Sequence, residues 1–198
     1  MGTTSRAQLS GSTNLDMARM LSPKLRQFLD GNQPAYRVLT NCLAEAFTTR
    51  RMQVYYFYSD DNLVARASHY YPEDDAVCIV IRENQVPLDE YISLLFETIN
   101  SMSEKHFLEL YSEAKTGKIS KDNFCLEISR TEFSADKMTR NLLKGIKMKK
   151  SETAKSFLYD CFYNCPDDFN DFRHYQKKVA SRDIEKEWDE KYDWLRQP

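Results

Sequence analysis

The chain has 198 residues, of which 41% are hydrophobic and 13% are aromatic, and this is enough for one domain with a hydrophobic core. Its 28 basic residues oppose 30 acidic ones, so the net charge of −2 gives no overall field that would attract nucleic acid or an anionic membrane. No segment approaches the ~18 uncharged apolar residues of a membrane span, and the polar N-terminus lacks the apolar stretch of a secretory signal. We therefore expect a cytoplasmic protein with neither a nucleic acid nor a membrane as its partner.

The five cysteines are an odd number, and they lie in segments that otherwise have the composition of a core. This distribution predicts buried free thiols rather than a disulfide framework, and it favours a reducing compartment. The residues concerned are Cys42, Cys78, Cys125, Cys161 and Cys165.

The N-terminal third predicts two helices and a small sheet. Residues 1–14 are expected to be disordered, and residues 15–198 to form a single domain. Ser22 and Pro23 begin a short helix that ends at Gly31, and the spacing of apolar residues predicts an amphipathic helix over 35–51. The aromatic run 54–58 predicts a strand, with its hairpin partner in 63–71, and residues 76–81 predict a third strand.

Everything after Pro87 has a helical pattern. Strands that precede helices in this way indicate an α+β fold: a small N-terminal sheet of about three strands and a predominantly helical C-terminal half. The expected helices cover about 88–102, 104–116, 120–147, 151–164 and 168–195.

The helix at 88–102 carries the candidate site. Its apolar stripe has Glu97 roughly opposite the centre, so the wheel alone predicts a surface glutamate. The stripe consists of Leu88, Ile92, Leu95, Ile99 and Met102, with Phe96 at its edge.

The order of strand 76–81, a helix with Phe96-Glu97-x-x-Asn100 and a second helix with Glu132 resembles the zincin-like metallopeptidases. In that family an edge strand precedes a helix with His-Glu-x-x-His, whose histidines bind zinc while the glutamate polarises the bound water. The resemblance places Phe96 and Asn100 where two zinc ligands belong, with Glu97 as the catalytic residue and Glu132 as the third ligand. A phenylalanine cannot coordinate zinc and an asparagine is a poor ligand, so the resemblance implies a pseudoenzyme without metal.

The sequence therefore predicts a non-catalytic, zincin-like domain with a binding or regulatory role, no cofactor, and a protein or peptide partner. Phe96, Asn100 and Glu132 would line the vestigial cleft beside Glu97. Two alternatives stay open. One is an active metal-dependent hydrolase or peptidase, with zinc held by the cleft carboxylates and His69 or His106. The other is a helical protein-interaction module, unrelated to peptidases, that uses the aromatic C-terminal part of the chain.

Three further patterns have plainer interpretations. Cys161, Cys165 and His174 could ligate zinc, but no fourth ligand lies at a suitable spacing, which favours core thiols. The lysine-rich segment 144–155 lacks interleaved aromatic residues and predicts a solvated connection. The aromatic residues of 157–194 favour a helical cap that buries its own face, and its last helix, 181–195, is amphipathic and is expected to dock on the domain or on a partner.

Overall fold

A computed structural model of the protein describes residues 21–46, 51–57, 66–71, 76–82, 85–179 and 184–197. The predicted disordered segment 1–14 lies outside the described residues. The fold is α+β, as the sequence predicts, and no helix in the described part of the chain is long and apolar enough to cross a membrane. In chain order the elements are α1 (Pro23–Asp30), α2 (Gln33–Ala46), β1 (Arg51–Phe57), β2 (Arg66–Tyr71), β3 (Ala76–Arg82), α3 (Pro87–Ser101), α4 (Glu104–Thr116), α5 (Lys121–Lys144), α6 (Lys150–Thr153), α7 (Phe157–Tyr163), α8 (Phe169–Val179) and α9 (Ile184–Leu195).

Local capping residues account for several of these boundaries. The Ser22 hydroxyl accepts a hydrogen bond from Leu25 N at the start of α1. Gly117 ends α4 with φ of 72°, a left-handed conformation that favours glycine. The single helix predicted for 151–164 is wrong, because Ser156 caps a new helix there by accepting a hydrogen bond from Tyr159 N at 3.0 Å.

The sheet has the strand order β1-β3-β2. β1 is parallel to β3, and β2 is antiparallel to β3. The predicted hairpin between the first two strands is therefore wrong, since β3 lies between them. β3 is an almost continuous apolar run, from Ala76 through Ile79 to Ile81, and such a strand suits the central position where both faces are covered.

Helix α3 is the centre of the molecule. It packs against α1, α2, β2, β3, α5 and α7. Of its residues only Pro87, Asp89 and Asn100 escape full burial. The main hydrophobic core surrounds this helix, with Leu25, Leu39, Ile79, Ile92 and Leu95 among its completely inaccessible side chains.

A second, smaller core lies between α4 and α5. Its buried residues are Phe107, Leu110, Ala114, Phe124 and Ile128. α9 covers this cluster with the half-buried Trp188, Tyr192 and Leu195, so of the two placements predicted for the amphipathic terminal helix, on the domain or on a partner, the structure has the first.

Candidate functional site

Phe96 is a core residue. Its side chain is 5% exposed, and its ring lies 5.6 Å from that of Phe162 in α7, at an interplanar angle of 64°. This edge-to-face geometry is a favourable aromatic contact. The position that would belong to a zinc-binding histidine is therefore used to join α3 to α7.

Glu97 is buried, with 4% of its surface exposed, so the prediction of a surface glutamate is wrong. It lies one and two helical turns from Ser93 and Glu90, on the same side of α3. Ser93 donates to Gln85 Oε1 at 3.3 Å, and Glu90 accepts from Ser22 Oγ at 2.8 Å. The side that looks polar on a helical wheel is covered by other parts of the fold, because α3 is enclosed by helices and strands on several sides.

Asn100 lies at the last turn of α3 and is half-buried. Its Oδ1 atom is inaccessible to water and has no hydrogen-bond partner among the described residues. The resemblance singles out Phe96, Glu97, Asn100 and Glu132. Within the described structure, the Asn100 oxygen is the buried side-chain acceptor among them that lacks a hydrogen bond.

Glu132 lies in the middle of α5 and is 6% exposed. Its Oε2 accepts a hydrogen bond from Trp188 Nε1 of α9 at 3.4 Å. Burial raises the pKa of the nearby Tyr111 in α4, and the charges of Glu104 and Glu132 raise it further. Glu132 is therefore at the junction of α4, α5 and α9, inside helix packing rather than at the edge of a groove.

The four side chains do not fit a zinc site. Phe96 offers no lone pair, Asn100 offers a weak amide oxygen, and Glu132 accepts from Trp188. Within the described residues, no group of three or more His, Cys, Asp or Glu side chains is placed to hold a metal ion. The His69 side chain lies outside the described structure.

The cysteines are all free thiols. Cys42, Cys78 and Cys165 are buried as predicted, whereas Cys125 and Cys161 are only half-buried, so the prediction of buried thiols is wrong for these two. Cys161 lies on a short surface helix, α7, whose inner side is taken by Leu158 and Phe162.

One buried cation joins α5 to the connection between α7 and α8. Arg140 is 1% exposed, and its guanidinium donates to the backbone oxygen of Cys165 and lies 3.1 Å from Asp167 Oδ1. Burial raises the pKa of the Cys165 thiol, and Asp136 raises it further. We assign this group a structural role, since a buried arginine needs such partners.

An open cleft lies between the beginning of α4 and the middle of α5. It has a volume of about 610 Å³ and starts two residues after Asn100. Its lining is formed by Met102, Ser103, Lys105, His106, Glu109, Arg130, Thr131 and Ser134.

The cleft is lined by more basic than acidic side chains. Lys105, His106 and Arg130 face it together with one carboxylate, Glu109. Arg130 Nη1 lies 2.8 Å from Glu127 Oε1, and its guanidinium lies 5.9 Å from the centroid of the Phe169 ring. These contacts hold the guanidinium at the rim, where it could still donate to an anionic group.

Two of the three hydroxyl groups of the cleft donate to backbone oxygens. Thr131 Oγ1 donates to Glu127 O at 2.9 Å, and Ser134 Oγ donates to Arg130 O at 2.9 Å. Ser103 precedes α4 and makes no side-chain capping hydrogen bond there. The donors that the cleft offers to a ligand are therefore the basic side chains and the Ser103 hydroxyl.

Sequence reasoning missed this cleft, because its lining comes from two segments, 102–109 and 130–134, that share no motif. One local signal was present. Lys105 and His106 lie in the first turn of a helix, where acidic residues are the favoured charge.

Comparisons of the chain with models of protein families, with curated proteins and with solved structures found no match. The resemblance to zincin-like metallopeptidases stays a prediction. One detail differs from what it implies, since β3, the strand before α3, is the central strand of the sheet rather than an edge strand.

Proposed function

We propose that the chain is a non-catalytic binding domain, zincin-like in the order of its elements, which binds a protein partner in the cleft between α4 and α5. The observation that carries the non-catalytic part is the packing of Phe96 at the position of the first zinc ligand. Its ring offers no ligand atom, is 5% exposed and contacts Phe162 in the core, so a metal that would activate a water beside Glu97 has no ligand on this side.

The cleft supports the binding part of the proposal. With a volume of about 610 Å³ it can hold several side chains, and its surroundings carry Lys105, His106 and Arg130. Donors of this kind bind carboxylates, so the ligand that fits best is an acidic segment of a partner protein.

Zinc titration tests the non-catalytic part. We expect calorimetry on untagged protein to show no stoichiometric zinc binding, and Glu97→Gln to change stability rather than any hydrolytic rate. The matched control is Glu113→Gln, at an exposed position of α4. Zinc-dependent peptide hydrolysis that Glu97→Gln abolishes and Glu113→Gln preserves would establish the hydrolase alternative instead.

A panel of fluorescently labelled acidic peptides tests the binding part. We expect anisotropy to detect binding that weakens about tenfold in Arg130→Glu, because the substitution replaces a donor with a like charge. Lys178→Glu, at an exposed position of α8, is the control of equal charge change and should bind as the native chain does. Equal affinity of the native chain, Arg130→Glu and Lys178→Glu would show that the peptides do not bind in the cleft.

A further inference from the structure

The connection from α5 to α7 concentrates positive charge in a chain that is acidic overall. Residues 144–157 contain five lysines and a single acidic residue, Glu152, while the whole chain has a net charge of −2. All five lysines are exposed. They are Lys144, Lys147, Lys149, Lys150 and Lys155.

Buried neighbours hold this segment in place. Ile146 is 5% exposed and belongs to the main core, and Met148 packs against the same core while its sulfur accepts from Asn32 Nδ2 at 3.4 Å. At the other end, Ser156 is 2% exposed and donates to Asp89 Oδ1 at the first turn of α3, and Leu158 N donates to the same oxygen at 3.0 Å. The lysines are therefore presented by an anchored segment, and this lowers the entropy cost of binding through them.

Inward and outward side chains alternate along the segment, and this places lysines and Phe157 on the protein surface. Lys147 and Lys149 flank the inward Met148, and Lys155 and Phe157 flank the inward Ser156. The Phe157 ring is 52% exposed, so it adds an apolar group to the surface beside Lys155. We call the five lysines together with Phe157 the lysine surface.

We infer that the lysine surface binds the headgroups of an anionic lipid bilayer, with Phe157 entering the interfacial layer. Clustered lysines are attracted to the negative surface potential of an anionic membrane when they lie close to it. An apolar ring at the edge of such a cluster adds the burial that amphipathic surface segments use. The net charge of −2 does not oppose this attraction, because a membrane surface responds to the local density of charge within a screening length.

Nucleic acid fits this surface less well. Recognition of single strands uses several stacking aromatic residues, and recognition of bases favours arginine and amide side chains. The segment 144–157 contains one aromatic residue, Phe157, and no arginine.

Vesicle co-sedimentation with the full chain tests the inference. We expect binding to vesicles of phosphatidylcholine mixed with phosphatidylserine, and none to phosphatidylcholine alone. Raising the salt from about 0.1 M to about 0.5 M should release most of the bound protein, since screening shortens the range of the attraction.

Charge reversal identifies the surface. Lys147→Glu combined with Lys149→Glu should lower the vesicle partition coefficient by about tenfold or more. Lys115→Glu combined with Lys118→Glu makes the same charge change at exposed positions around the end of α4 and should have a much smaller effect. Phe157→Ala should lower the part of the binding that persists at high salt, and circular dichroism checks that each variant is folded.

Three outcomes would overturn the inference. The first is the absence of binding to vesicles with phosphatidylserine, whether or not the chain binds DNA or RNA oligonucleotides through Lys147 and Lys149. The second is equal binding to vesicles with and without phosphatidylserine, and the third is an equal loss of binding in both lysine pairs.

Discussion

Helices α3 and α9 have similar lengths, 15 and 12 residues, and opposite relations to the rest of the fold. α3 is enclosed by six other elements, and all but three of its residues are buried. α9 lies on the surface and contributes Trp188, Tyr192 and Leu195 as half-buried residues. The first helix organises the core, whereas the second covers a core that α4 and α5 have already formed.

Helix α9 contacts its neighbours through a row of aromatic side chains, the aromatic line, and through exposed polar side chains around it, the rim. The Tyr192 ring lies 5.4 Å from that of Phe124, and its hydroxyl donates to Ile119 O at 3.0 Å. At the rim, Lys121 Nζ lies 2.8 Å from Asp193 Oδ2, and Arg196 Nη1 donates to Lys115 O at 3.1 Å. Exposed ion pairs of this kind contribute little to stability, so the aromatic line carries most of the attachment.

The difference between the two helices shows that the burial of an acidic side chain, rather than its residue type, determines its role in this fold. Glu90 in α3 is 1% exposed, and its Oε2 accepts a hydrogen bond from Ser22 Oγ at 2.8 Å. Asp189 in α9 is largely exposed, and it acts on its surroundings by accepting a hydrogen bond from Cys125.

The largest expected difference between a buried and an exposed site is in the effect of removing an aromatic ring on stability. Phe96→Ala deletes a ring that is 5% exposed and in contact with Phe162, and we expect it to lower the free energy of unfolding by about 3–5 kcal/mol. Denaturant unfolding followed by circular dichroism measures the change.

The matched control is Phe157→Ala, which deletes the same ring from a position that is 52% exposed. Its expected effect is within about 0.5 kcal/mol. Similar losses in the two variants would mean that Phe96 does not lie in the core, and would reopen its assignment to a cleft.

Much of the fold could be predicted because its signals are local. Ser22 and Pro23 predict the start of α1, and the predicted helix over 104–116 corresponds to Glu104–Thr116. The strand order could not be predicted in this way, because β1 pairs in parallel with β3 and no local pattern specifies which of two later strands pairs with the first. The break before Ser156 was missed since a capping serine looks like any other serine in a helical run.

The candidate site was predicted less well than the fold. The wheel shows one apolar stripe on α3, but a helix enclosed on several sides buries its remaining face too, and Glu97 is part of that face. The apolar stripe predicts which residues of α3 face one neighbouring element, but it does not show that other elements cover the opposite face. Glu132 was expected to flank a groove, and the sequence offered no sign that Trp188 would cover it.

The pH dependence of stability should sharpen the comparison of the two acids. Burial raises the pKa of Glu90 above its ordinary value of 4.5, and hydrogen bonds from Ser22 and Tyr56 only partly oppose this. The folded chain thus holds the proton to higher pH than the unfolded chain does. Unfolding then releases a proton between the two pKa values, and the free energy of unfolding falls as the pH rises through this interval.

Glu90→Gln keeps the shape of the side chain and removes the titration. We expect its stability relative to the native chain to improve as the pH rises above 4.5, and to level off once the carboxyl of the folded native chain has ionised, in urea unfolding at several pH values. Glu113→Gln, at an exposed site, should show no such trend. A difference between Glu90→Gln and the native chain that stays constant with pH would mean that Glu90 is not held in its neutral form.

The smallest expected effect concerns the rim of α9. Burial, together with the hydrogen bond to Asp189, raises the pKa of the Cys125 thiol to about 12. The Cys125 Sγ to Asp189 Oδ1 distance is 3.2 Å. Since the thiolate is the reactive form, Cys125 should be alkylated slowly while α9 is docked.

Asp189→Asn removes the negative charge beside the thiol and leaves an oxygen that can still accept its proton. We expect the rate of alkylation of Cys125 by iodoacetamide, followed by mass spectrometry over a range of pH, to rise several-fold, with its profile displaced to lower pH. Glu190→Gln changes the next residue of α9, which faces Lys186 at 3.8 Å, and should leave the profile in place. An unchanged profile in Asp189→Asn would show that burial alone sets the pKa of Cys125. Helix α9 would then affect Cys125 only by covering it, and the negative charge of Asp189 would have no effect on the thiol.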